Sequence, residues 1–311
     1  LNDLRELSEL AWKGLLDTKF EHHPVHTFYE GSTEINSFIL GIKGIGGFYA
    51  IDTGDGLVML DAGSQLDIET GYQEIKKWRP NDYLKKAIFS HHHVDHVFAV
   101  QKFDEECKEK NLPLPKVYSH SLTPEHFDRY KKTQGWNTAI NRRQFAIDSD
   151  KFSWPSSYRY PDEIYENECS FKQGNFTFNL YHARGETDDH TWVHIPEAKI
   201  LAPGDLFIWA VPNGGNPQKV QRYISDWAEA LDKMKEMQSE ILLPGHGFPI
   251  FGKERIEIAL TTTSELLKSI EDQTLVLMNK GKRLNEILHE VKLSESLMNH
   301  PWLKPVYDDP Q

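Results

Sequence analysis

The sequence predicts an α/β fold, and three observations point there. Apolar runs of strand character alternate with helical patterns from residue 57 to residue 134. A dense group of histidines and an aspartate, His91 to His96, directly follows one of those runs. Sites in α/β proteins usually lie at such carboxyl ends of strands. Between residues 176 and 246, further strand-like runs each lead into a glycine-containing turn that carries a histidine or a carboxylate.

The elements follow in order. Leu4, Leu7, Leu10, Ala11, Leu15 and Leu16 recur at helical spacing and predict a surface helix over residues 1–20. Residues 25–63 read as strands with turns, with runs at 37–40, 46–52 and 57–60 and a hairpin signal at Asp55-Gly56. The glycines at 41, 44, 46 and 47 lack the lysine and following helix of a phosphate loop and make no dinucleotide fingerprint. A helix is expected over 65–79, with Ile68, Tyr72, Ile75 and Trp78 on one side, then a strand at 86–89. A charged helix at 97–110, a strand at 117–120 and a helix at 123–134 opened by Thr123-Pro124-Glu125 come next.

Residues 135–170 break the pattern. Trp136, Phe145, Phe152, Trp154, Tyr158, Tyr160 and Tyr165 crowd a stretch that reads as a loop outside the core. It is expected either to wall an apolar substrate pocket or to pack on its own aromatics. Arg142 and Arg143 lie inside it, and an arginine pair can grip an oxyanion bidentately where it is not simply solvated. The run 176–181 alternates as a strand, and 191–195 with 199–202 form a hairpin ending at Pro203-Gly204-Asp205. An amphipathic helix over 220–238 and a last core strand at 241–243 lead to Pro244-Gly245-His246. The reading divides the chain into a catalytic domain, 1–252, and a helical C-terminal extension, 253–311.

His91, His93, Asp95 and His96 follow an H-x-H-x-D-H pattern rather than a plain histidine run. In an extended loop His91 and His93 point the same way, and the following turn offers Asp95 and His96 to a second point nearby. Imidazole nitrogen with carboxylate oxygen is a ligand set for zinc, less often for iron or manganese.

Composition bounds the partners. With 35 Lys+Arg against 47 Asp+Glu, the net charge of −12 argues against nucleic acid and anionic membranes. It leaves room for an anionic substrate, since a metal supplies local positive charge. The two cysteines, Cys107 and Cys169, form no C-x-x-C and fit a reducing compartment or core use. No apolar run approaches the ~20 residues of a membrane helix, so a soluble protein is expected. The chain opens on Leu1 rather than Met, so both a cytoplasmic and a periplasmic location stay open.

The H-x-H-x-D-H stretch resembles the signature of the metallo-β-lactamase fold family. The resemblance implies an αββα sandwich, two mixed β-sheets flanked by helices, with two divalent metal ions between the sheets and further ligands from later strand ends. Asp61, in Asp61-Ala62-Gly63, then has a structural place under the metals. Glu186 stands where the family usually has a histidine after the turn glycine, with His182 four residues earlier as the alternative or an outer partner. Asp205 matches the bridging carboxylate and His246 the final ligand. Asp95 would bind one metal and orient or deprotonate the attacking water.

The tail is similar to the alkyl sulfatase branch of that family. It carries an aromatic-Pro-x-aromatic-Gly turn after His246, then Asp272-Gln273-Thr274-Leu275 and Asn285-Glu286-Ile287. Arg142-Arg143-Gln144-Phe145 matches the branch's arginine pair followed by an aromatic, and the branch has a Glu at the Glu186 position. The resemblance covers about residues 35–300. It implies hydrolysis of a small ester with an apolar chain, the sulfate held by the metals with Arg142 or Arg143. There are departures: Asp205 stands where that branch commonly has Glu, the full enzymes carry further domains, and 213–219 match the branch's sulfate contacts poorly. Lys219 and Arg222 are further candidates for an anion. The rival readings are a lactone, thioester or β-lactam carbonyl as the target, or a di-iron redox module, which usually needs a flavin domain. The apolar C-terminal helices are expected to pack on the core or to form a homodimer face.

Overall fold

A computed structural model of the chain describes residues 3–25, 31–42, 44–215 and 220–307. Its first sheet holds β1 (Ser32–Asn36), β2 (Ile39–Ile42), β3 (Phe48–Asp52), β4 (Leu57–Leu60), β5 (Leu84–Ile88), β6 (Lys116–His120) and β7 (Glu163–Tyr165), side by side in that order. The first four strands form an antiparallel meander, and β4 to β7 run parallel. The second sheet holds β8 (Glu168–Gln173), β9 (Phe176–His182), β10 (Thr191–Ile195), β11 (Ile200–Ile208), β12 (Ile241–His246) and β13 (Ile250–Phe251). These also lie in sequence order, with β11 and β12 the parallel pair.

Strict alternation makes these sheets the middle of a sandwich. In β4, Leu57 and Met59 enter one core while Val58 and Leu60 enter another. The second of these cores lies between the sheets, where Val58, Leu60 and Ile88 meet Phe178, Leu180, Val193 and Leu243. The outer face of the first sheet is covered by α2 (Ile68–Trp78), α3 (Val100–Glu109) and α4 (Thr123–Lys132), through Ile75, Phe103 and Phe127. The outer face of the second is covered by α1 (Leu4–Trp12), α6 (Ile224–Glu236) and α7 (Lys253–Asn279), through Leu7, Trp227, Leu231, Ile256 and Leu260. The molecule is therefore an αββα sandwich of two mixed sheets with C-terminal helices. Among the described residues no helix is long and apolar enough to cross a membrane.

Several elements depart from the sequence reading for physical reasons. The first helix ends at Trp12, because Gly14 takes φ +68 and reverses the chain, leaving Leu15 exposed. The strand expected at 37–40 starts two residues later, because the Asn36 side chain accepts from Phe38 N (3.0 Å) and turns the chain there. Residues 135–170 are not one loop outside the core. They contain α5 (Gln134–Gln144) and β7, and Trp154 and Tyr158 pack into the core against Phe127 and Tyr130, while Trp136 stays exposed. The strand expected to stop at Asp205 runs on to Ile208, with its pairing shifted at Gly204, which adopts φ +54.

The C-terminal helices divide by burial. The first half of α7 is built into the core through Ile256, Leu260 and Leu267. Its end exposes Leu275, Val276 and Met278, next in sequence to the exposed Leu284 and Leu288 of α8 (Leu284–Glu290).

Candidate metal centre

The loop after β5 is anchored by Asp61, a residue with φ +55 just after β4. Its carboxylate accepts from Ser90 N (2.6 Å) and Ser90 Oγ (2.9 Å), which fixes the first residue of the loop. The other Asp61 contact comes from His96 Nδ1 (2.9 Å), so His96 carries its proton there and turns Nε2 the other way. Ser90 Oγ, having given its proton to Asp61, accepts from His91 Nδ1 (2.9 Å). His91 thereby also presents a bare Nε2. His246, at the end of β12, donates from Nδ1 to the Ile45 carbonyl (2.9 Å) and presents Nε2 in the same way. Three outer partners thus fix which nitrogen of each ring faces inward.

The inward nitrogens, with His93 Nδ1, meet Glu186 and Asp205 of the second sheet and Asp95 of their own loop. His91 Nε2 lies 3.7 Å from Glu186 Oε2 and 3.8 Å from Asp205 Oδ2, and His93 Nδ1 lies 3.6 Å from Glu186 Oε2. On the other side His246 Nε2 lies 3.2 Å from Asp95 Oδ2 and 3.3 Å from Asp205 Oδ2. His96 Nε2 lies 3.7 Å from Asp95 Oδ2 and 3.5 Å from Asp205 Oδ1. Two groups converge here, His91-His93-Glu186-Asp205 and Asp95-His96-His246, and Asp205 reaches both, while a third, His92-His126-Asp189, lies beside them. Arg222 donates from Nη1 to Glu186 Oε1 (2.7 Å) and to the Glu186 carbonyl, fixing that carboxylate from behind.

Charge is finely opposed in this volume. Burial pushes the Glu186 carboxyl up to about 7, against the pull of Arg222. Burial works to lower His246, yet Asp205 and Asp95 raise it to about 10. His96 is likewise held well above the usual histidine range by Asp205, Asp95 and Asp61, against burial. Burial, with His190 and His93 alongside, keeps His91 well below that range.

The residues fit a pair of divalent cations. His91 Nε2, His96 Nε2, Glu186 Oε2 and Asp205 Oδ1 are buried polar atoms without a hydrogen-bond partner. Donor separations of 3.2–3.8 Å bracket the ~3.4 Å expected for two ligands each about 2.1 Å from one tetrahedral ion. The donors are nitrogen and oxygen only, which suits zinc, iron or manganese.

Other residues singled out in the sequence fall elsewhere. His182 lies outside both groups: its Nε2 donates to the Asp188 carbonyl (2.8 Å) and its ring stacks on His120. Arg142 pairs with Asp150 and Arg143 is exposed, and neither makes a polar contact with a cluster residue. Lys219 lies outside the described residues. The sequence reading missed His190, whose Nε2 accepts from Asp205 N (3.0 Å) and whose ring stacks on His91 at 4.3 Å. It also missed Asp189, which accepts from His92 N (3.0 Å), His92 Nδ1 (2.9 Å), Thr123 Oγ1 (2.9 Å) and Thr187 Oγ1 (2.7 Å). Thr187-Asp188-Asp189-His190 looks like a solvated turn in sequence, and only its burial reveals the role.

A family model for the metallo-beta-lactamase superfamily matches residues 44–246, more than half of the chain and the whole span of the candidate ligands. The chain belongs to the metallo-beta-lactamase superfamily. Within the superfamily it is similar to a linear primary-alkylsulfatase of Pseudomonas sp. (strain ATCC 19151), 22% identical over 83% of this chain and 52% of that protein. It is also 22% identical to an (R)-specific secondary-alkylsulfatase of Pseudomonas sp., over 81% of this chain and 41% of that protein. Among solved structures it resembles the stereoselective inverting sec-alkylsulfatase Pisa1 from Pseudomonas sp., with a TM-score of 0.77 and 21% identity over 91% of this chain and 48% of that one. That likeness shows the shared fold. The chain spans about half the length of these relatives.

Proposed function

We propose that the chain is a metal-dependent hydrolase acting on alkyl sulfate esters. The observation that carries this reading is the convergence of two donor groups on Asp205, with four buried donor atoms left without partners. Similarity to two alkylsulfatases over more than four-fifths of the chain supports the substrate class. His91, His93 and Glu186 would hold one metal ion, Asp95, His96 and His246 the other, and Asp205 would bridge them, with zinc the first choice. A bound metal pair supplies positive charge and a water that ionises near neutral pH.

The chain's own residues do the rest. Asp95 has the most open side chain of the three carboxylates, 25% exposed against 14% for Glu186 and 8% for Asp205. It can therefore reach a water entering from solvent, and although burial works to raise its pKa, His96 and His246 keep it ionised, ready to orient that water and accept its proton. Arg222 holds Glu186 in one orientation. The catalytic unit in this proposal is residues 1–252, with 253–311 as a helical extension whose first part shares the same core.

The test is a hydrolysis screen of zinc- and manganese-loaded protein, comparing medium-chain alkyl sulfates with a lactone, a thioester and a chromogenic β-lactam. Inorganic sulfate release that is lost with Asp205→Ala is the expected result. Turnover of a carbonyl substrate with no sulfate release would overturn the sulfatase reading.

A further inference from the structure

Arg129, on α4, is an anomaly among the arginines. Of the partly buried ones among the described residues, Arg79, Arg142, Arg159, Arg222 and Arg255 each face a carboxylate at 2.5–3.0 Å. Arg129 faces none. Its Nε is buried without a hydrogen-bond partner, and its guanidinium lies 4.9 Å from the centre of the Tyr130 ring. Withdrawing a guanidinium from water without an anion is costly, so its placement requires an explanation.

The placement is built. The fully buried Asp189 accepts from His92 Nδ1, so His92 keeps its proton there and its Nε2 can only accept. Arg129 Nη2 donates to that Nε2 at 3.4 Å. Thr123 and Thr187 complete the shell of Asp189 and hold it from two different segments. His92 stands between the candidate ligands His91 and His93, with ring centres 6.2 Å and 4.9 Å away. The relay Asp189–His92 thus holds a guanidinium beside the metal-site loop, with most of its donors unused.

We infer that Arg129 is the anion-recognition residue of this site, taking the oxyanion head of the substrate, and that His92 and Asp189 are its positioning residues. This rests on the hydrolase reading above and names its sulfate contact. A planar guanidinium suits it, because two parallel N–H donors match two oxygens of a sulfate.

The test separates this inference from the reaction. Calorimetry of zinc-loaded protein would measure binding of a non-hydrolysable alkanesulfonate and of the alcohol of equal chain length. Arg129→Ala is expected to weaken the sulfonate 10- to 100-fold, as for loss of a charge-assisted hydrogen bond, and to leave the alcohol unchanged. On the ester, Arg129→Ala and His92→Leu should raise KM more than they lower kcat. His92→Gln should recover much of the affinity, since an amide can donate to Asp189 and accept from Arg129. Zinc content and melting temperature identify a variant that has merely lost its fold, and Arg129→Lys then gives the same comparison with the charge kept, again expected to bind the sulfonate more weakly than the parent. Equal sulfonate affinity in parent and Arg129→Ala would overturn the inference while leaving the sulfatase reading intact. A parent protein that fails to bind sulfonate overturns it too, and sulfate release from that same parent decides the reaction separately.

Discussion

Single atoms decide the chemistry at this site. Asp95 is the carboxylate that combines partial exposure with two imidazole neighbours, so removing its charge should remove the proton acceptor without disturbing the core. Asp95→Asn is expected to lower kcat at least 100-fold. Circular dichroism and thermal melting should stay near those of the parent, and substantial residual turnover would remove Asp95 from its role. Asp189 is the opposite case, a carboxylate with no exposure and four donors. Asp189→Ala leaves His92 Nδ1, Thr123 and Thr187 unsatisfied together and should cost about 3 kcal/mol or more in unfolding free energy, read by urea denaturation.

At the level of elements, glycine lets two strands meet beneath the candidate metal centre. Gly245 in β12 has no room for a side chain, since a Cβ there would stand 1.9 Å from Asp205 Oδ1. Gly245→Ala must therefore push the Asp205 carboxylate aside, and zinc affinity measured against a chelating indicator should fall at least tenfold. Unchanged affinity would mean that Asp205 is not held by that contact. The same elements show what the sequence could and could not reveal. The candidate ligands of the H-x-H-x-D-H loop, Glu186, Asp205 and His246 were legible because each follows a short apolar, strand-like run, and local pattern marks a strand's end. Gly204's bulge and the run of β11 to Ile208 were not, because a positive φ inside a buried strand leaves no periodic trace. Trp154 and Tyr158 look like loop aromatics in sequence because their partners Phe127 and Tyr130 are over 20 residues away. The sequence points to Arg142 and Arg143 and is silent on Arg129, because only tertiary structure shows Arg142 paired with Asp150 and Arg129 Nε buried without a partner.

On the scale of the whole molecule, the two sheets meet at two histidines as well as at the candidate metal centre. His120 ends β6 in the first sheet and stacks on His182 of the second, with ring centres 3.8 Å apart. Its Nε2 donates to the Glu166 carbonyl and its Nδ1 accepts from Leu122 N, so the neutral ring is fully used. Burial, then the neighbouring His182, lowers its pKa to about 4 from the ordinary 6.5. Between those values the unfolded chain binds a proton that the folded chain refuses, so this contribution to stability is complete above pH 6.5 and is lost as pH falls toward 4. Urea denaturation of parent and His120→Gln across pH 4–7 should show a shallower acid loss in the variant. The candidate metal ligands span the same divide. His91, His93, Asp95 and His96 follow β5 of the first sheet, whereas Glu186, Asp205 and His246 belong to the second, so a bound cation ties one sheet to the other. Because the unfolded chain scatters these ligands, a metal at 1,000 times its dissociation constant should add about 4 kcal/mol to stability. For a chain of this size that is a rise in Tm of roughly 5–10 °C. The comparison is a melting curve after chelator dialysis against one after zinc is returned, and coincident curves would mean that the seven side chains do not bind the ion as a set.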